Sequence, residues 1–240
     1  MISPRSTDPV RLDGLRAVIF DLDGVLVDSF AAMREAFTIA YAEVVGNGEA
    51  PVEEYSRYPG RYFPEILRLM GLPADMEGPF VRESYRLADK VAVHVGARTM
   101  LSVLRWLGIR TAVATGKSGE RATWLLDRLA LLPLLDTVIG SDAVVRPKPA
   151  PDIVLRALDD LDVPAGTAVM VGDAVTDLHS AHAAGVIAAA ALWGEGTEAE
   201  LRLAGPDLLL RRPVDVLRLC GIDSRTARVV SLAGAERRSA

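Results

Sequence analysis

The chain has 240 residues, of which half are hydrophobic and a quarter charged, with a formal net charge of -5. That composition suits a globular protein with one core of ordinary domain size plus an insertion, and the negative balance weighs against a binder of nucleic-acid phosphates. The single cysteine, Cys220, excludes an internal disulfide and any metal site built on several thiolates.

Met1 to Asp13 is polar, holds two prolines and lacks the apolar centre of a secretory signal. The longest near-continuous apolar stretch, Ala181 to Trp193, is interrupted by His182 and Gly185 and is too short to span a bilayer. The expectation is a cytoplasmic protein with neither a membrane nor a nucleic-acid partner. Oligomeric state is not legible.

Arg16 to Phe20 is a β-rich run that meets Asp21 and Gly24, which predicts a buried strand ending in a turn. From Ser29 onward, Phe30, Met33, Ala36, Phe37, Ala40 and Tyr41 recur at helical spacing, and Gly46-Asn47-Gly48 closes that helix. Pro51 to Asp89 shows no strand pattern. Two helices are predicted there, around Ile66–Met70 and Phe80–Leu87, separated by Gly71-Leu72-Pro73.

From Ala97 the chain alternates helix and strand. Helices are predicted at 97–107, 118–130, 150–160, 175–184 and 198–203, and strands at 110–114, 137–139, 167–171, 186–192 and 208–210. Ser118 is placed at a helix N-cap. Trp106, Trp124 and Trp193 are read as packing groups, and Cys220 as a buried structural thiol. The polar tail after Gly221 is expected to fray. This alternation implies an α/β fold: a Rossmann-like parallel sheet with helices on both faces and an inserted α-helical cap. The boundaries read 1–28 with 95–220 for the core, 29–94 for the cap and 221–240 for a flexible tail.

Strand ends of a parallel sheet converge on one edge. Asp21 and Asp23, Thr115 and Gly116, Lys148, and Asp173 with Asp177 all follow apolar runs or turns, so the topology gathers them there. A strand-end carboxylate at Asp21 is suited to attack phosphorus, and Asp23 to exchange a proton with the leaving oxygen and with water. Thr115 and Gly116 lie at a strand-to-helix turn of the phosphate-binding kind. Lys148, held between two prolines, offsets the carboxylates. Lys117 is read as a solvated side chain. Asp21 and Asp173, with a backbone carbonyl and with Asp177 four residues on, form a hard-oxygen set suited to Mg2+. Four carboxylates against one lysine would reject a phosphate dianion, which argues for the cation.

Those residues resemble the haloacid dehalogenase superfamily over roughly residues 16 to 212. Asp21-Leu22-Asp23-Gly24-Val25-Leu26-Val27-Asp28-Ser29 is similar to its first motif, Thr115 to its second, Lys148 to its third, and Gly172-Asp173 with Asp177 to its fourth. The resemblance is to the phosphoglycolate phosphatase and β-phosphoglucomutase branch. It implies Asp21 as nucleophile and metal ligand, Asp23 as acid/base and backbone-carbonyl ligand, Asp173 as direct metal ligand and Asp177 as its support. Thr115 and Gly116 would bind phosphate and Lys148 would stabilise it. Asp23 argues against a dehalogenase, whose pattern lacks that second acid.

A narrower similarity, carried by Tyr58-Pro59-Gly60-Arg61-Tyr62-Phe63 and the Gly172–Asp177 region, is to phosphatases associated with 3-amino-5-hydroxybenzoate synthesis in ansamycin-type antibiotic pathways. It implies a phosphorylated sugar or aminosugar, which Arg57, Arg61 and Tyr62 of the cap would meet. Val93 to Ala97 departs from the usual Pro-Gly turn at the hinge. Three readings stay open: a phosphatase for a small phosphorylated metabolite, a sugar phosphomutase, and a signalling domain phosphorylated on aspartate without turnover.

Overall fold

The computed structural model describes residues 12–46 and 48–222; the expected frayed tail lies, from residue 223 on, outside the described residues. Its centre is a six-stranded sheet, every pairing of which is parallel. In chain order the elements are β1 (Ala17–Phe20), β2 (Val27–Asp28), α1 (Phe30–Val44), α2 (Val52–Tyr55), α3 (Phe63–Met70), α4 (Glu77–Arg86), β3 (Ala92–Val93) and α5 (Ala97–Trp106). There follow β4 (Arg110–Thr115), α6 (Gly119–Arg128), β5 (Thr137–Gly140), α7 (Asp152–Leu161), β6 (Ala168–Gly172), α8 (Val175–Ala183), β7 (Ile187–Ala191), α9 (Glu198–Leu203) and β8 (Leu208–Leu210). Strand order is β5-β4-β1-β6-β7-β8, so β1 lies between β4 and β6 at the point where the chain reverses its direction of travel across the sheet. Ligands of open α/β sheets bind outside the carboxyl ends of strands at such a point.

The short strands carry apolar residues on both faces because both faces are covered. Val18 and Phe20 pack into one cluster with Val113, Val169 and Val171, under α5, α6 and the Pro213–Cys220 turn. Ala17 and Ile19 pack into the other with Ala112, Ala114 and Met170, under α7 and α8. Burial of Phe20, Ile19 and Leu22 contributes roughly 1.5–3 kcal/mol for each side chain.

Both connections between the sheet and the α1–α4 segment run together. β2 and β3 pair antiparallel, Val27 opposite Val93 and Asp28 opposite Ala92, and His94 N–H donates to Leu26 O at 3.0 Å. Two-residue strands leave no periodicity to read, which is why this ribbon was not expected. Beyond it, Phe37 stacks on Tyr55 with ring centroids 4.4 Å apart, and Phe63 stacks on Phe80 at 3.6 Å. This aromatic layer merges with the sheet's upper cluster.

Ser118 holds the expected N-cap position of α6, without a side-chain cap hydrogen bond. Two expectations need correction. Trp106 is 59% exposed, so it is no packing group. Cys220 is half-buried rather than enclosed, and its burial pushes the thiol up to about 11. No helix among the described residues is long and apolar enough to cross a membrane.

Candidate active site

Asp21 follows β1, and its N–H donates to Val171 O at 2.9 Å. Gly24, three residues later, has φ +80, and a Cβ there would meet Asp173 Oδ2 at 2.0 Å. Glycine is thus required twice over, for the left-handed turn and for the approach of β6's carboxylate. Asp173 follows β6, and its Oδ2 accepts the Glu195 N–H at 2.9 Å from the loop after β7. Asp177 stands in the first turn of α8 and reaches back to accept the Ala174 N–H at 3.0 Å. Ala174 holds the N-cap position of this helix, and Asp177 at N3 satisfies its backbone N–H.

The three carboxylates of Asp21, Asp173 and Asp177 converge, each offering an oxygen within 4.8 Å of the others, and all three are buried. Lys148 lies among them, fully enclosed. Its Nζ donates to Asp177 Oδ1 at 2.6 Å and Ala114 O at 3.1 Å. Asp21 Oδ1 lies 3.0 Å from the same ammonium but outside hydrogen-bond alignment, and it has no other partner among the described residues. Burial works against the Lys148 charge, yet Asp177 and Asp21 outweigh it and hold its pKa above the ordinary lysine value. Burial pushes Asp21 up to about 7, with the Lys148 charge opposing and the Asp177 and Asp23 charges reinforcing. Burial and then the neighbouring Asp177 and Asp21 charges raise Asp173 well above the usual carboxylate range.

The donor set is all hard oxygen, buried, crowded and short of positive charge. It fits a divalent cation such as Mg2+. Asp21 Oδ1 without an aligned donor is the vacant valence such an ion would take.

Asp23 turns elsewhere. Its carboxylate receives Lys117 Nζ at 2.6 and 2.7 Å and is hydrogen-bonded by Ser29 Oγ. Despite burial, the Lys117 charge and hydrogen bond and the Ser29 hydroxyl hold Asp23 below the usual carboxylate range. Lys117 is 8% exposed. The expectation of a solvated Lys117 is therefore overturned: the turn after Thr115 aims it inward, across to the first strand's loop. Two lysines, not one, face the four carboxylates.

A cavity of about 80 Å³ opens above Asp21 and Asp23, walled by Gly116, Lys117 and Arg121 from the sheet side and by Met33, Tyr55, Phe63 and Phe80 from the helical segment. Gly116 faces this space. Thr115 lies beneath, fully buried, with its Oγ1 accepting the Lys117 N–H at 3.2 Å. A Cβ on Gly116 would meet Gly60 O at 2.6 Å and Arg61 O at 2.8 Å, so the Pro59-Gly60-Arg61 loop rests directly on the Thr115-Gly116-Lys117 turn. Arg34 on α1 forms an ion pair with Glu195, which ties the helical segment to the loop that holds Asp173. Of the cap residues singled out from sequence, Arg61 lines the cavity with its guanidinium 2.7 Å from Glu65. Arg57 is not among the lining residues, and Tyr62 faces a separate groove beside Arg68 and Arg146.

Arg121 was missed. It shares a helix face with Leu125, both buried, and a charged residue in an apolar stripe was the available signal.

A family model described as haloacid dehalogenase-like hydrolase matches residues 18–191. A Dickeya dadantii protein named "Probable phosphatase IndB" is 32% identical over 206 residues, covering 80% of this chain and 88% of that one. A Caulobacter vibrioides protein named phosphoglycolate phosphatase is 31% identical over 214 residues, covering 85% and 90%. The crystal structure of a hydrolase from Pseudomonas syringae superposes with a TM-score of 0.76 at 22% identity, covering 86% of this chain and 98% of that one, a likeness of fold.

Proposed function

The chain belongs to the haloacid dehalogenase-like hydrolases and is a phosphoric monoester hydrolase of that family; on that premise we propose that it hydrolyses a small phosphate monoester through an aspartyl-phosphate on Asp21, with Mg2+ as cofactor. The observation that carries this reading is the position of Asp21 on the cavity wall, with Asp173, Asp177 and Lys148 clustered behind it. We take 29–94 as the cap and 1–28 with 95–220 as the core, joined at the β2–β3 ribbon.

Asp21 and Asp173 would hold the cation with the Asp23 carbonyl, and Asp177 would support the set. Bound there, Mg2+ supplies positive charge that steadies the phosphoryl oxygens. Lys148 fixes Asp21 and Asp177 in place and adds its own charge beside the transferring group. Gly116 and the turn's backbone face the phosphoryl oxygens, with Thr115 setting the turn from below.

In the first step Asp21 attacks phosphorus, the bond to the leaving oxygen breaks, and that oxygen takes a proton from the Asp23–Lys117 pair. In the second, Asp23 takes a proton from water, water oxygen bonds to phosphorus, and Asp21 is released with free phosphate. The carboxylate form of Asp23, held by Lys117, suits it to this second step. The Pro59-Gly60-Arg61 loop, resting on Gly116, narrows the cavity around the reacting groups while leaving room for the water of the second step.

The test is phosphate release by purified protein from phosphorylated sugars, aminosugars and phosphoglycolate, with Mg2+ and after EDTA. Release of phosphate that stops on chelation is expected. Turnover that survives exhaustive chelation removes Mg2+ from the scheme, and conversion of a sugar phosphate to its isomer without phosphate release would make the enzyme a mutase.

A further inference from the structure

Beyond the β2–β3 ribbon, the α1–α4 segment touches the core at separate places. Tyr85 meets Trp124 edge-on with centroids 4.7 Å apart, and Asp89 pairs with Arg128. Elsewhere Pro59 O accepts the Thr176 hydroxyl at 3.4 Å. The ion pair of Arg34 with Glu195 differs from these contacts in what stands behind it. Glu195 donates its own N–H to Asp173 Oδ2 at 2.9 Å, so the residue that meets the helical segment also holds a carboxylate of the cluster.

The loop that carries Glu195 lies flat against Asp173. A Cβ on Gly194 would meet Asp173 Oδ2 at 2.2 Å, and one on Gly196 would meet Asp173 O at 2.1 Å. Side chains are therefore excluded on both sides of Glu195, and the two glycines leave the loop little stiffness of its own. One end is anchored where Trp193 Nε1 donates to Val25 O at 3.0 Å. The other enters α9 through Thr197, whose hydroxyl accepts the Glu200 N–H at 3.3 Å. Between these anchors the Glu195 carboxylate meets Arg34 on the cavity wall. Arg34 is itself fixed, because its Nε donates to Ser56 Oγ at 3.0 Å at the end of α2.

We infer that the Arg34–Glu195 pair is a latch that couples closure of the α1–α4 segment to the metal site, with Glu195 as a positioning residue for Asp173. With the segment down, the pair steadies the glycine-flanked loop, and the Glu195 N–H keeps Asp173 in place. With the segment lifted, the loop loses that tether and the carboxylate is held less firmly. By linkage, an ion bound at Asp173 favours the closed segment by the same factor. This rests on the reading of Asp173 as a metal ligand. Two simpler accounts make different demands. A field effect has the opposite sign, since removing the Arg34 charge near the cluster would strengthen binding of a cation. An ion pair that only stabilises the fold would change the melting temperature and leave the affinity for the ion alone.

The experiment measures the Mg2+ Kd of the full chain by titration calorimetry, with no substrate present. R34M should raise Kd about fivefold, at the low end of such couplings because the Arg34 side chain is 41% exposed. R34K, which keeps the charge, should stay within about twofold of wild type. E195A keeps the backbone N–H to Asp173 but has no carboxylate to latch, so adding R34M to E195A should weaken binding no further. In parallel, hydrogen exchange of residues 48–62 is followed by mass spectrometry in EDTA and in MgCl2. Mg2+ should slow exchange there about fivefold in wild type and leave it unchanged in R34M. An R34M Kd equal to or below that of wild type overturns the inference, as does the same loss from R34M with and without Glu195. If R34M does not fold by circular dichroism, R34Q is read by the same criteria, and exchange that ignores Mg2+ in wild type overturns the latch without any variant. Phosphate release that needs Mg2+, with equal Kd in wild type and R34M, removes the latch and keeps the phosphatase reading. Coupled binding without turnover on any ester sinks that reading and keeps the latch. No Mg2+ binding at all sinks both.

Discussion

Asp173→Asn should make the metal-free protein more stable while removing its response to Mg2+. Carboxylate oxygens of Asp21, Asp173 and Asp177 lie within 4.8 Å of one another. At that spacing each fully ionised pair repels by about 3.5 kcal/mol at an effective dielectric near 20. Asp173 faces two such partners and is relieved only in part by Lys148, whose shorter contact goes to Asp177. Partial protonation already relaxes some of this, so a gain of about 2 kcal/mol at pH 8 is expected, seen as a rise in Tm of roughly 4–8 °C for a chain of this size. Asparagine is nearly isosteric, which matters because Gly24 and Gly194 pack tightly on this side chain, and its Oδ1 still accepts the Glu195 N–H. Thermal melts in EDTA and in excess MgCl2 make the measurement. Wild type should gain about 2.7 kcal/mol from Mg2+ at a hundred times Kd, and D173N almost nothing. A variant that is less stable than wild type in EDTA, or equally responsive to Mg2+, would refute both the repulsion and the ion.

Asp21→Asn should lower kcat by at least about a thousandfold with an unchanged circular dichroism spectrum, because no other wall carboxylate stands beside Lys148; turnover within tenfold of wild type would remove Asp21 as nucleophile. Lys117→Met strips Asp23 of its ammonium and should lower kcat by roughly 10–100-fold, with the acidic limb of the kcat profile shifted upward as Asp23 loses the charge that holds it low; an unmoved profile counts against the pairing. Gly116→Ala places a methyl 2.6 Å from Gly60 O. It should lift the cap loop, raising KM by roughly tenfold with little change in Tm, and unaltered kinetics would show that the loop need not close. In EDTA, folded Asp21, raised to about 7 from 3.8, binds its proton more tightly than the unfolded chain does. Stability should therefore fall as pH rises from about 4 to about 7, by up to about 4 kcal/mol, and Mg2+ should flatten that slope; chemical denaturation across this range would contradict it by showing a constant or rising stability.

What the residues disclosed in advance was whatever a strand end announces. Apolar runs broken by Asp21, Thr115 and Asp173 give the parallel sheet and the edge where they meet, because a buried strand can carry a charge only at its exit. The two lysines divide along the same line. Lys148 is fixed between prolines, and its place beside the cluster was legible in local sequence. Lys117 meets Asp23 across 94 positions of chain, and nothing local distinguishes it from a surface lysine. Ser29 reads as a helix opener and is that, yet its hydroxyl donates to Asp23 rather than capping α1. The β2–β3 ribbon escapes because pairing, not periodicity, defines strands so short. Trp106 fails for the opposite reason: it lies at the last turn of an amphipathic helix, where the apolar stripe has already rotated out to solvent.

Counting charge with both lysines changes the case for the metal rather than weakening it. Lys117 makes its ion pair with Asp23 and none with the cluster below, where it acts on Asp21 only through its field. Lys148 is left to serve Asp21 and Asp177, with Asp173 beyond its reach for an ion pair among the described residues. The cluster thus carries three carboxylates against one ammonium, and the excess of two is what one divalent cation cancels. Without it, burial and the neighbouring carboxylates push Asp21 and Asp173 toward their protonated forms. A protonated Asp21 is no nucleophile. The same crowding that makes the metal-free cluster unstable therefore makes the nucleophile depend on the ion, and separates that dependence from Asp23, whose ionisation Lys117 secures with or without metal.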